Sequence, residues 1–259
     1  MKIKTTVCEL SNDPASFEKD WQSLVAHVKS EKSDLVLLPE MPFAPWVAWT
    51  DQVDPAVWQA ASEAHDRWMP RLEELETAIV VSTRPVIHNE KRQNEGFIWE
   101  PESGYQAVHT KYYLPNESGF WEAAWYERGD HDFTPVQIRR INIAFLICSE
   151  IWFGEHARAY ARQGAHILVC PRATPMASVD KWIAGGRVAA VNSGAFCLSS
   201  NYSNSNKQGM KWAGTGWIIE PEGGEILGLT SNEQPLITMQ IDLSVAEAAK
   251  KTYPRYIPD

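Results

Sequence analysis

Nowhere does this sequence stay apolar for the ~20 residues that a bilayer-spanning helix needs. Its first residues, MKIKTTVCEL, enter an alternating strand pattern directly, with no secretory h-region. A cytoplasmic protein without a membrane partner is expected. Positive charge is also scarce: 24 Lys and Arg stand against 33 Asp and Glu, a net charge of −9, and no basic cluster breaks that balance. This argues against nucleic acid as a partner. The four cysteines, Cys8, Cys148, Cys170 and Cys197, lie far apart and lack the paired spacing of zinc or dithiol sites. Reduced thiols follow. The seven histidines are scattered and none compels a metal site. Repeats, low-complexity tracts and an internal linker are missing too, so the 259 residues, 44% hydrophobic and 22% charged, read as a single domain over 1–259.

What the chain does have is periodicity. Residues 2–10 predict a strand, and Asp13-Pro14 supplies an N-cap and first turn for a helix with the apolar stripe Phe17, Trp21, Leu24, Val25 and Val28. DLVLLP, residues 34–39, is a short strand apolar on both faces, and it delivers Glu40 at its end. Residues 54–77 predict a helix interrupted at Pro70, followed by a strand over 78–83. Strands around 96–99 and 105–109 form a hairpin about Pro101-Glu102-Ser103-Gly104, and Lys111 follows directly.

Residues 141–175 predict a strand, a sharp turn, a helix over 154–163 and a second strand over 166–169, a βαβ unit. Cys148 ends the first strand, where open α/β sheets bind ligands and where a helix N-terminus favours negative charge. A thiol there is well placed to ionise. Taken alone, a free cysteine is more often packing than chemistry. Beyond this unit, residues 178–194 predict a helix despite Gly185-Gly186, then strands over 197–201 and 214–220 flank the polar loop SNYSNSNKQGMKW. That loop is long enough to be functional or mobile. A turn at 221–224, a last strand over 236–243 and a capping box of Ser244 with Glu247 lead into a final helix. Hairpins and βαβ units mixed with four or five helices predict an α/β fold with helices outside paired sheets, stacked α-β-β-α.

Three separated motifs now carry a resemblance: LVLLPEMPF with Glu40, HTKYYLP with Lys111, and FLICSEIWFGEHAR with Cys148, followed by GAHILVCP. Together they resemble the nitrilase superfamily of carbon-nitrogen hydrolases, and the similarity runs on to GTGWIIEPEGGEI and KKTYPRY. The resemblance implies a four-layer α-β-β-α sandwich, a Glu40-Lys111-Cys148 triad, no metal or cofactor, and a homodimer or larger assembly. GFWEAAWYERGD resembles the segment in which many amidase members carry a second glutamate, here Glu122, with Glu117 close by. Val191-Asn192 and Gly214-Thr215-Gly216 depart from the usual pattern, which bears on subunit contacts and pocket detail.

Amide hydrolysis at neutral pH calls for a strong nucleophile, a base that takes its proton, and donors where an oxyanion develops. Cys148, Glu40 and Lys111, with the Ser149 backbone N–H, supply those types, while Glu122 would position the substrate and the lysine. Trp121, Trp125 and Trp152 are candidates to line the pocket, although Trp serves at least as often in a core. Arg172, in CPRATP, reads either as a partner for a substrate carboxylate or as one half of a structural ion pair. Glu150 reads as a structural partner. The expected substrate is a small primary amide or N-carbamoyl compound. The compact length and Cys-Ser-Glu context favour an amidase over a nitrilase, and a silent binding protein of the same fold is the alternative of a different class.

Overall fold

A computed structural model of the chain describes residues 1–76, 78–204 and 209–258. Its strands are β1 (Lys2–Ser11), β2 (Leu35–Leu37), β3 (Ile79–His88), β4 (Lys91–Glu100), β5 (Gly104–Thr110), β6 (Val136–Ile138), β7 (Ile141–Phe145), β8 (Ile167–Pro171), β9 (Phe196–Ser203), β10 (Trp217–Ile219), β11 (Ile226–Leu229) and β12 (Leu236–Asp242). The helices are α1 (Pro14–Glu31), α2 (Pro55–Trp68), α3 (Glu122–Trp125), α4 (Gly154–Arg162), α5 (Val179–Ser193) and α6 (Leu243–Ala249).

The strands form two halves. β5-β4-β3-β2-β1, with β12 on β1, make the first; β6-β7-β8-β9, with β10 and β11, make the second. They meet in a short parallel seam where Glu9, Leu10 and Ser11 of β1 pair with Asn201, Tyr202 and Ser203 of β9. Elsewhere they face one another across a dry core: Val7, Leu37, Ile79 and Val81 on one side, Ile143, Val169, Leu198 and Ile218 on the other. The outer face of the first half packs on α1 through Trp21, Leu24 and Val28, and that of the second packs on α4 and α5 through Tyr160 and Ala189. This is the α-β-β-α stack. The seam lies at the carboxyl ends of β1 and β9, so the loops that follow the parallel strands of both halves converge beside it.

Local chemistry explains most elements. Asp13 caps α1, accepting from the Ala15 N–H, and Pro14 sits in its first turn; the predicted stripe is buried in full. Burying each such side chain stabilises by roughly 1.5–3 kcal/mol. After α2 the chain tightens at Pro70 into a 3₁₀ turn over Met69–Leu75, because proline cannot donate to the α-helical ladder. The predicted hairpin at 101–104 is present, and a second one, turning at Asn89 and Glu90 with positive φ, extends β3 and β4 beyond the predicted 78–83 and 96–99. The last helix is capped differently from the expectation. Asp242, not Ser244, is its N-cap, and the Asp242 carboxylate takes both the N–H and the hydroxyl of Ser244. Part of the polar loop at 200–212, residues 205–208, lies outside the described residues.

Gly185-Gly186 is tolerated within α5 because the helix approaches two tryptophans. A Cβ at Gly185 would come within 2.9 Å of the Trp152 ring, and one at Gly186 within 2.8 Å of Trp217. The neighbours differ in freedom: Trp152 is 40% exposed, whereas Trp217 is fully buried with the Arg172 guanidinium 4.0 Å over its ring. In a helix, Gly→Ala gains about 1 kcal/mol, and overpacking costs about 1–3 kcal/mol. Gly185→Ala is therefore expected to hold or raise Tm, since Trp152 can swing aside, and Gly186→Ala to lower it. Thermal melts of the two variants check this; the reverse order would show that the close approach of α5 to Trp217 is not what selects glycine.

Candidate active site

Three of the four predicted catalytic groups lie just past the end of a strand. Glu40 follows β2, Lys111 follows β5, and Cys148 follows β7 by three residues; Glu122 opens the short α3 in the crossover between the two halves. All four are buried, Glu40, Lys111 and Glu122 completely and Cys148 to within 4%. The Lys111 Nζ donates to Glu40 Oε1 at 2.8 Å and to Glu122 Oε2 at 2.6 Å. Asn94 Nδ2 donates to the same Glu40 oxygen at 2.8 Å, and the Tyr126 hydroxyl donates to Glu122 Oε2. One oxygen on each glutamate, Glu40 Oε2 and Glu122 Oε1, is buried without a hydrogen-bond partner among the described residues. Such acceptors are costly unless a ligand or water donates to them, which marks the cluster as a site.

The backbone around Glu40 is clamped from the second half of the fold. Its N–H donates to the Arg172 carbonyl at 3.3 Å, and the Tyr202 hydroxyl lies 2.6 Å from the carbonyls of both Glu40 and Met41. Thr83 Oγ1 accepts from the Met41 N–H at 2.9 Å, and Met41 itself has φ +46°. Cys148 opens a 3₁₀ turn, Cys148–Trp152, with φ +48°. A non-glycine residue held there stores roughly 1–3 kcal/mol, and such strain concentrates at functional positions.

Electrostatics correct one expectation from sequence. The Cys148 thiol is not acidified: burial pushes its pKa well above the ordinary value, the Glu40 and Glu122 carboxylates add to this, and Lys111 only partly opposes them. The first regular helix after the sulfur, α4, begins six residues on, at Gly154. Glu122 is raised to about 7 by burial, with Glu40 nearby adding to the shift against the opposing Lys111 charge. Lys111 is held firmly as an ammonium, the two glutamates outweighing its own burial. Burial and the neighbouring glutamates thus favour the protonated form of the resting Cys148 thiol.

The remaining candidates fall into two groups. The Ser149 hydroxyl donates to the Tyr113 carbonyl at 2.6 Å, which leaves only its backbone N–H for an oxyanion. Trp121 is half-buried and packs with Met41, Trp46, Phe120, Trp125 and Trp212 in one aromatic cluster adjoining Glu40 and Glu122. Trp152 instead lies exposed against Trp182, with Lys181 over its ring, on the α5 side. Among the described residues Arg172 forms no ion pair, nor is it an open carboxylate clamp. Its buried guanidinium donates to Ser199 Oγ at 2.7 Å, Thr174 Oγ1 at 2.8 Å and the Thr215 carbonyl at 2.7 Å, and it stacks on Trp217. Hydroxyls and a carbonyl can satisfy a guanidinium as well as a carboxylate can, and its burial lowers its pKa to about 10. Asn94 and Tyr202 are site residues that sequence reasoning missed. Both are polar positions within buried strands, and their partners lie 54 and 162 residues away.

The chain is 24% identical to the chloroplastic omega-amidase of Arabidopsis thaliana over 98% of its own length and 71% of that protein. It is 28% identical to the N-carbamoylputrescine amidase of Solanum tuberosum, over about half of each chain, 52% and 50%. The crystal structure of a carbon-nitrogen hydrolase from Helicobacter pylori superposes with a TM-score of 0.85 at 19% identity, covering 98% of this chain and 94% of that one, which shows the shared fold. The sequence model of the carbon-nitrogen hydrolases matches residues 4–251, and with nearly the whole chain inside that match, the protein belongs to the carbon-nitrogen hydrolase family.

Proposed function

We propose that this carbon-nitrogen hydrolase is an amidase that cleaves a primary amide or N-carbamoyl compound through a Cys148 thioester and releases ammonia. The observation that carries this reading is the Lys111 ammonium between two buried glutamates, each with one unpartnered oxygen, acting electrostatically on the Cys148 sulfur. In the first step Glu40 Oε2 takes the thiol proton as the sulfur bonds to the carbonyl carbon. The oxyanion forms against Lys111 and the Ser149 N–H. Collapse breaks the C–N bond, and the proton on Glu40 goes to the departing nitrogen as ammonia leaves. Water, deprotonated by Glu40, then attacks the thioester; the carbonyl product leaves, and the sulfur regains its proton. Glu122 holds the ammonium in place and offers its free oxygen to an amide N–H.

The committed hydrogen bonds of Arg172 support an acyl group without a carboxylate of its own, and the aromatic cluster supports a largely apolar one. The reading is tested by ammonia release from a panel of amides, N-carbamoyl compounds and nitriles, with intact-mass detection of an acyl adduct on Cys148. Turnover of amides with a transient adduct is expected. Turnover confined to nitriles would make the enzyme a nitrilase, and alkylation of Cys148 without any turnover would favour a binding role.

A further inference from the structure

Glu150 lies completely buried next to the nucleophile and accepts three hydrogen bonds. Its Oε2 takes the Ile147 N–H at 2.8 Å and faces His109 Nε2 at 2.8 Å, and its Oε1 takes the Tyr112 N–H at 2.7 Å. Ile147 directly precedes Cys148, and Tyr112 directly follows Lys111. One carboxylate therefore pins the backbone beside the sulfur to the backbone beside the amine, although the two belong to different halves of the fold.

The second ring nitrogen of His109 fixes its charge state. Nδ1 lies 3.0 Å from the Asp132 carbonyl, which can only accept. Glu150, already receiving two backbone N–H groups, is likewise an acceptor. Both ring nitrogens must then donate, and only the imidazolium does that. Either neutral tautomer would set a lone pair against an oxygen, in a pocket walled by Phe133 and Phe145 with ring centroids 5.0 and 6.3 Å away.

We propose that His109 is a positioning residue held as an imidazolium, whose proton, acting through Glu150, sets Lys111 and Cys148 relative to one another and whose loss weakens catalysis at alkaline pH. The kinetic part rests on the amidase reading; the charge state does not. Burial alone would discharge His109, but the Glu150 charge and hydrogen bond and the Asp132 carbonyl outweigh it and leave the ring above the ordinary histidine value. The other titratable groups around the pair are Asp132, which favours the charge, His156 of α4, which opposes it, and Tyr113 and Tyr160, which sense Glu150. Because the folded state binds this proton more tightly than the unfolded chain, the ordering it provides is complete below about pH 6.5. It is lost as pH rises through the elevated folded-state value.

Two measurements test this on the whole protein. In ¹⁵N–¹H spectra recorded against pH, with His109→Gln used for assignment, both His109 ring nitrogens should carry protons at low pH and titrate with a midpoint above about 6.5; a midpoint at or below that, or a neutral tautomer throughout, would overturn the proposal. In His109→Gln, kcat should fall roughly 10–100-fold with KM little changed, and the alkaline limb of the wild-type profile should flatten. A folded variant that keeps the wild-type limb would equally overturn it. The rate of Cys148 alkylation by iodoacetamide against pH, compared between the two proteins, needs no substrate. If wild type hydrolyses no amide, a changed alkylation profile upholds His109 while the amidase reading fails, and an unchanged profile sinks both. If His109→Gln does not fold, His109→Asn serves for the assignment and the wild-type titration decides.

Discussion

Cys148→Ala is expected to bring amide turnover to background, a loss on the order of 10⁵–10⁶-fold, as removal of a covalent nucleophile does elsewhere. In the proposed mechanism Cys148 alone carries the acyl group. Lys111 is a tightly held ammonium, and the other thiols, Cys8, Cys170 and Cys197, are buried with their pKa values pushed up, those of Cys8 and Cys197 to about 12. The folding consequence is more specific. At φ +48° alanine is strained and glycine is not, so Cys148→Gly should melt above Cys148→Ala by about 1 kcal/mol. For a chain of this size that is about 2–4 °C. Almost anywhere else glycine would be the less stable of the two, so the inverted order is diagnostic. Residual turnover in Cys148→Ala within tenfold of wild type would end the covalent mechanism.

Lys111→Met should have the largest effect on stability. It leaves Glu40 and Glu122 buried with their shared cation removed, and stranding a charge in this way costs about 3–5 kcal/mol. A fall in Tm on the order of 10 °C follows. Without the lysine, the burial that already raises Glu122 to about 7 loses its main opponent, so the deficit is greatest above that value and shrinks as acid protonates Glu122. Adding Glu122→Gln should recover part of the stability and none of the activity, because the oxyanion donor is still missing. A Lys111→Met protein that melts with wild type at pH 8 would show that the carboxylates are already neutral in the fold, and that the lysine does not bridge them.

The layers were legible in the sequence because they rest on short-range patterns, and the candidate triad because three separated motifs together resemble one family. The stripe from Phe17 to Val28 repeats at helical spacing, Glu40 and Cys148 follow apolar runs, and Lys111 follows a hairpin. Interactions between distant segments were not legible. No spacing rule joins Asn94 to Glu40, Tyr202 to the Glu40 carbonyl, or His109 to Glu150. The thiol was misread for the same reason: its place at a strand end is local, whereas its depth and its two anionic neighbours arise only when the halves close. Arg172 shows the converse, since a charged side chain in a loop suggests a ligand until its three neutral partners are seen.

The seam between β1 and β9 lies beside Glu40, whose main chain is fastened across it to Arg172 and Tyr202. Those bonds tie the chain after β2 to the ends of β8 and β9, so a substitution that loosens an outer helix on either face leaves the Glu40 main chain held by partners from the opposite sheet.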